Sequence, residues 1–216
     1  MLDFQDLRNT MVDTQVRPSD VTKFPIIDAM LTVPREDYLP EDLASVAYSE
    51  DALNAGGRVL LEPRTFAKIL DALDLGPDAM VLDIGCGLGY STAVLSKIAN
   101  TVVAVENDPQ RVEAAQENLS RGSVDNAAVI EGKLSEGAPK HGPYDVILVE
   151  GGVQSIPDAL LEQISEGGTI AVIKVSGELG TVRIGTNLGG KITWRDAFNA
   201  HAPILDGFQE DKTFEL

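Results

Sequence analysis

The chain has 216 residues, with 17 Lys and Arg against 34 Asp and Glu, so it carries a formal net charge of −17. Hydrophobic residues make up 44% and charged residues 24%, ordinary for a globular protein, and the length suits one large domain or a domain with a small extension. The acidity and the scattered basic residues argue against a nucleic-acid partner, and no apolar run approaches the length of a membrane span.

The N-terminal stretch places Phe4, Leu7, Met11 and Val12 at helical spacing, and Pro18 stops or bends that helix. A second amphipathic helix is expected over 22–32, followed by Val33-Pro34-Arg35-Glu36. Residues 1–50 thus read as a helical extension to a core over 51–216 within a single domain. Residues 67–75 are expected to be helical, and Gly76-Pro77 turns the chain into the central strand. The start of the chain lacks the basic region and apolar core of a signal peptide. Cys86 is the single cysteine, which excludes an intrachain disulfide and is consistent with a cytoplasmic protein. No Cys or His lies near it in sequence, so no metal site is expected there.

The informative stretch is Val81 to Asn107. An apolar run, Val81-Leu82-Asp83-Ile84, leads into Gly85-Cys86-Gly87-Leu88-Gly89; a helical segment follows; then Thr101-Val102-Val103-Ala104-Val105 ends in Glu106-Asn107. This is one βαβ unit with a glycine-rich first turn. The glycines let the backbone turn tightly and approach a ligand. Glu106 falls where a carboxylate accepts hydrogen bonds from both hydroxyls of a ribose. The spacing G-x-G-x-G, with Asp83 two residues ahead, differs from the G-x-G-x-x-G that cradles a pyrophosphate. A carboxylate at that point repels phosphate and suits a cationic or amino-bearing ligand. The combination is similar to motif I of class I methyltransferases, which implies S-adenosyl-L-methionine as the cofactor.

Further on, a helix is expected from Pro109 to Ser120 and a strand over Ala127–Glu131. Another strand should run over Tyr144–Glu150, and a helix over 156–163. Gly167 to Ile173 forms the next strand. Residues 181–186 and 191–196 alternate like a hairpin around Asn187-Leu188-Gly189-Gly190. Trp194 reads as a half-buried strand residue, and His141 and His201 as surface residues.

Several segments resemble protein-L-isoaspartate O-methyltransferases. They are Met11-Val12-Asp13-Thr14-Gln15-Val16-Arg17, Ala29-Met30, Val33-Pro34-Arg35-Glu36, Ala47-Tyr48 to Leu53, Tyr144-Asp145-Val146-Ile147, Ile156-Pro157 to Gln163 and Gly167-Gly168-Thr169-Ile170. The resemblance implies an α/β, Rossmann-like class I methyltransferase fold with a mostly parallel seven-stranded sheet, helices on both faces and N-terminal helices alongside. It implies methylation of isoaspartyl carboxylates in damaged proteins. It also implies that Asp83, Gly85, Cys86 and Gly87 line the methionine and ribose end, that Glu106 holds the ribose diol, and that Asn107, Gly132, Lys133 and Glu150 line the rest of the cofactor site. The N-terminal helices should cover that site or pack on a partner subunit, the second case being a homodimer.

Three departures stand against this resemblance. The family's Gly-Gln-Thr-Ile-Ser-x-Pro matches Gly57-Arg58-Val59-Leu60-Leu61-Glu62-Pro63, so the active-site serine position holds Leu61 and no catalytic residue is assigned. Arg58 or Arg64 would then recognise the acceptor carboxylate, since a guanidinium binds a carboxylate in bidentate fashion. Lys133 stands where the family has an aspartate, and Glu150-Gly151-Gly152 where it has small residues. Three readings therefore remain open: an isoaspartyl methyltransferase, a methyltransferase with another acceptor, and a cofactor-binding module without catalysis.

Overall fold

The computed structural model describes residues 3–210. Seven strands form one sheet in the order β5-β4-β3-β6-β7-β8-β9. They are β3 (Met80–Ile84), β4 (Thr101–Glu106), β5 (Ala127–Glu131), β6 (Tyr144–Val153), β7 (Ile164–Ser176), β8 (Leu179–Leu188) and β9 (Lys191–Asn199). β3 to β7 are parallel, and β8 and β9 pair antiparallel as a hairpin. The near-continuous apolar character of β3, β4 and β6 follows from burial on both faces. The hairpin turns at Gly189 and Gly190 with φ of +62° and +77°, which fits a two-residue turn whose twist matches the strands. β1 (Leu53–Ala55) and β2 (Arg58–Leu60) form a separate three-residue ladder outside the main sheet.

The helices are α1 (Phe4–Met11), α2 (Phe24–Thr32), α3 (Pro63–Leu73), α4 (Tyr90–Ser96), α5 (Pro109–Arg121) and α6 (Asp158–Leu161). Asp3 caps α1 through Gln5 and Asp6, and Asp108 caps α5 through Gln110 and Arg111, with Pro109 at its first position. α3 starts four residues earlier than the apolar spacing suggests, because Pro63 suits a first helical turn. α6 is half the expected length. The side chain of Gln163 lies just beyond it, donating to the carbonyls of Glu136 and Ala159 and accepting from the Ala138 N–H. Side chains of α1, α2, α3 and α4 share one core cluster with one face of the sheet.

Arg35 joins the N-terminal helices to that core. It is fully buried, and its Nε donates to the Ala47 carbonyl at 2.8 Å and its Nη2 to the Leu61 carbonyl at 2.6 Å. Its guanidinium lies 4.9 Å from the centre of the Tyr90 ring, a cation–π distance. Burial lowers its pKa, and the phenol group of Tyr90 partly opposes this.

Candidate cofactor site

β3 has β4 on one side and β6 on the other, so the chain leaves the sheet in opposite directions at its carboxyl end. A crevice forms at such a switch point. The turn between β3 and α4 lines it. Gly85 has φ +81° and Gly87 φ +57°, a region that penalises any side chain. The Gly85 N–H donates to the Val105 carbonyl at 2.8 Å, which pins the turn to β4.

Asp83 is fully buried at the end of β3. Its Oδ2 accepts hydrogen bonds from Ser91 and Thr92, both at 2.7 Å, and its Oδ1 has no partner. Burial pushes its carboxyl up to about 6, the two hydroxyls oppose this, and the charge of Glu106 adds to it. Cys86 is buried, and desolvation followed by the charge of Asp83 drives its thiol well above the usual range. It is a small turn residue rather than a nucleophile.

Glu106 ends β4 with its side chain wholly out of solvent. Oε2 accepts from Arg58 Nε at 3.0 Å and from the Gly87 N–H at 3.1 Å. Oε1 accepts from Arg58 Nη2 at 3.0 Å and from the Asn107 N–H at 2.9 Å. Arg111 Nε lies 3.2 Å from Oε1. Burial raises the Glu106 carboxyl, but the hydrogen bonds and charge of Arg58, with Arg111 and the Asn107 N–H, outweigh it and hold the group below the usual range.

Glu150 lies on β6 where three residues, Val149 to Gly151, stand against one of β7, Val172, between the Leu148–Ala171 and Gly152–Ile173 pairs. Such a bulge re-aims side chains. Glu150 lines the same small cavity as Arg58, Val59, Leu60, Gly85, Cys86, Gly87 and Tyr90. Its Oε1 is buried without a partner, and burial, with the charge of Asp83, raises its carboxyl well above the ordinary value.

The other sequence candidates divide. Asn107 is at the site, accepting from Arg58 Nη2 at 2.8 Å and donating to Asp206 at 3.4 Å. Gly132 is tied to the end of β4 by its N–H to the Glu106 carbonyl at 3.0 Å. Lys133 is not turned into the crevice: it is exposed and pairs with Glu136 at 2.7 Å. Arg64 is exposed on the first turn of α3. Leu61 is buried in the core, 2% exposed, so Val59 and Leu60 line the cavity in its stead. Arg58, expected to face an acceptor carboxylate, instead grips the protein's own Glu106.

Three contributors went unread in the sequence. Arg111, on α5, has its side chain 16% exposed beside Glu106. Tyr90 stacks edge-on to Tyr38, with ring centres 6.0 Å apart. Residues 202–206 cross the mouth of the crevice, with Gly152 donating to the Pro203 carbonyl and Leu205 to the Gly152 carbonyl. Gly151-Gly152 was the available signal: a Cβ on Gly151 would sit 2.6 Å from Leu205, and one on Gly152 2.4 Å from the Ala202 carbonyl oxygen. Among the described residues, no group of His, Cys, Asp and Glu could hold a metal ion, and no helix is long and apolar enough to cross a membrane.

A seven-stranded mixed sheet, a glycine turn after its central strand and a buried carboxylate at the end of the next one define a Rossmann-like class I methyltransferase fold. Two solved structures share it. One, a protein-L-isoaspartate O-methyltransferase, is 24% identical with a TM-score of 0.81, covering 95% of this chain and 66% of its own. The other is described as a putative protein-L-isoaspartate O-methyltransferase from Plasmodium falciparum in complex with S-adenosyl-L-homocysteine. It is 19% identical with a TM-score of 0.79, covering 95% and 99%. The family model for protein-L-isoaspartate(D-aspartate) O-methyltransferase matches residues 7–184. Curated relatives of that name include one from Methanoculleus marisnigri, 34% identical over 76% of this chain and 74% of its own length. Another, from Syntrophus aciditrophicus, is 37% identical over 81% and 80%. The chain belongs to the protein-L-isoaspartate O-methyltransferase family.

Proposed function

We propose that this protein is an S-adenosyl-L-methionine-dependent methyltransferase that esterifies isoaspartyl carboxylates of proteins or peptides. Family membership across residues 7–184 carries the reading. The chemistry of the crevice supports the cofactor. Glu106 carries two carboxylate oxygens at the end of β4 that a diol would use in place of Arg58, the glycine turn has no side chains of its own to keep a ligand off the backbone, and the unpartnered Oδ1 of Asp83 and Oε1 of Glu150 suit a cationic or amino-bearing group. When bound, the cofactor supplies a methyl group on an already activated sulfonium centre.

What the chain itself contributes is placement and dryness. Val59, Leu60 and Tyr90 give the cavity apolar walls that exclude water. An isoaspartyl carboxylate is ionised near neutral pH and is its own nucleophile, so no general base is required. Leu61 leaves the family's serine position without a hydroxyl, and the polar side chains that line the cavity include Arg58, Ser91 and Glu150, with the Tyr90 phenol. We place the protein in the cytoplasm as a repair enzyme acting without nucleic acid, as one domain whose residues 1–50 buttress the core. A homodimer through the N-terminal helices belongs to the same proposal.

One observation favours the module without catalysis: the hold of Arg58 on Glu106. Transfer of labelled methyl from S-adenosyl-L-methionine to an isoaspartyl peptide, beside its aspartyl control, separates the two. Incorporation into the isoaspartyl peptide alone is expected; equal background in both would overturn the enzyme reading.

A further inference from the structure

Glu106 has no acceptor capacity left in this structure. A carboxylate offers about four lone-pair sites, and four hydrogen bonds fill them: two from Arg58 and one each from the Gly87 and Asn107 N–H groups. The arginine also takes the space. Its Cβ lies 3.2 Å from where a Cβ on Gly87 would stand, and its Nε 3.8 Å from one on Gly85. The side chain therefore lies along the glycine turn itself, with 7% of its surface exposed. The cavity that remains is about 20 Å³, roughly room for one water, whereas small-molecule sites run to about 300 Å³ and more. A guanidinium and a ribose diol cannot both sit on Glu106.

We propose that Arg58 is a built-in competitor for the cofactor: its guanidinium occupies the ribose subsite on Glu106, and the cofactor enters only when the β1–β2 tip carries it away. This rests on the reading that the crevice takes S-adenosyl-L-methionine. The tip is made for such a movement. β1 and β2 share a ladder of three pairs, and Gly56 and Gly57 join them with φ of +66° and +90°. Apart from the Arg58 fork, the turn itself is hydrogen-bonded to the main body by Arg111, which donates to the Gly56 carbonyl at 3.0 Å, while Ala55, Val59 and Leu60 on either side of it pack against the core. So short a ladder gives up few backbone hydrogen bonds when it opens, and the main cost of the movement is parting Arg58 from Glu106. Arg111 stays beside Glu106 when Arg58 leaves, so the buried carboxylate keeps a cation. The binding-competent fraction then scales the apparent affinity.

The test is calorimetric titration of wild type, Arg58→Gln and Arg58→Ala with S-adenosyl-L-homocysteine, with hydrogen exchange of residues 54–60 in wild type. Both variants should bind at least tenfold more tightly than wild type. Ligand should speed amide exchange over Gly57–Leu60 in wild type. Arg58→Gln preserves most of the side-chain volume and guards against loss of folding. Wild-type binding as tight as, or tighter than, that of both variants, or ligand-induced protection of the tip, would overturn the competitor and leave the cofactor reading intact. No binding by any of the three at millimolar ligand would overturn both.

Discussion

Asp83→Asn should reshape the pH dependence of stability. In the unfolded chain an aspartate titrates near about 3.9; in the fold, burial raises Asp83 to about 6. Between those values the native state keeps a proton that the unfolded state has released. Stability therefore falls as pH rises through that window and levels off above it. Two pH units at about 1.4 kcal/mol each amount to roughly 3 kcal/mol. Glu150 is raised as well and acts in the same direction. Glu106 is depressed and acts oppositely: its stabilisation is present above the unfolded glutamate value and is lost as pH falls below it. Asparagine cannot ionise, so the variant loses the Asp83 part of the slope and keeps the rest. Urea unfolding of both proteins at half-unit steps from pH 4 to pH 8 measures this. The difference in unfolding free energy, variant minus wild type, should shift in the variant's favour by about 2 kcal/mol between pH 4 and pH 7, the rest of the effect lying below pH 4. A difference constant to within about 0.5 kcal/mol would refute the argument that Asp83 bears a desolvated charge.

Three further outcomes follow from the site. Glu106→Ala strands Arg58 and Arg111 and should cost roughly 3–5 kcal/mol in urea unfolding; a double-mutant cycle with Arg58→Ala should show coupling above about 1 kcal/mol, and additive costs would deny the pairing. Leu61→Ser removes a packed core side chain and buries a hydroxyl, for a loss of roughly 3 kcal/mol. It should not raise isoaspartyl methylation, and an increase in label transfer would put position 61 in the crevice. Arg64→Ala should leave stability within about 0.5 kcal/mol and methyl transfer unchanged; a tenfold fall in kcat/KM for the isoaspartyl peptide would assign the arginine to the acceptor.

The core of this fold was legible because β3, β4 and the turn between them obey local rules. Apolar runs buried on both faces give strands, glycines mark the turn, and a carboxylate closes the unit, all within 27 residues from Val81 to Asn107. The same was true of α5, whose cap and proline adjoin it in sequence. What could not be read depends on partners far along the chain. Leu61 and Arg35 are 26 positions apart, and Arg58 and Glu106 are 48 apart. Spacing says that an arginine on a glycine-rich tip can reach a carboxylate, without saying which one. The direction of the Lys133 side chain was hidden for a related reason: its position suggests the adenine side, but Glu136, three residues on, is its partner in open solvent.

The strap formed by residues 202–208 also sets an order of assembly. Leu205 touches the glycine turn 120 positions earlier, and Phe208 accepts from the N–H groups of Gln154 and Ser155. A contact of such long reach is slow to form, and during synthesis it must wait until β9 and everything before it has left the ribosome. The sheet and the N-terminal helices can consolidate first with the crevice still unroofed. The nascent protein thus passes through a stage in which its polar mouth is open to solvent, and it is sealed once residues 202–208 have emerged and docked. Pulse-labelled hydrogen exchange during refolding would register this as late protection of the Gly152, Gln154 and Leu205 amides; early protection, in step with β3 and β4, would contradict it.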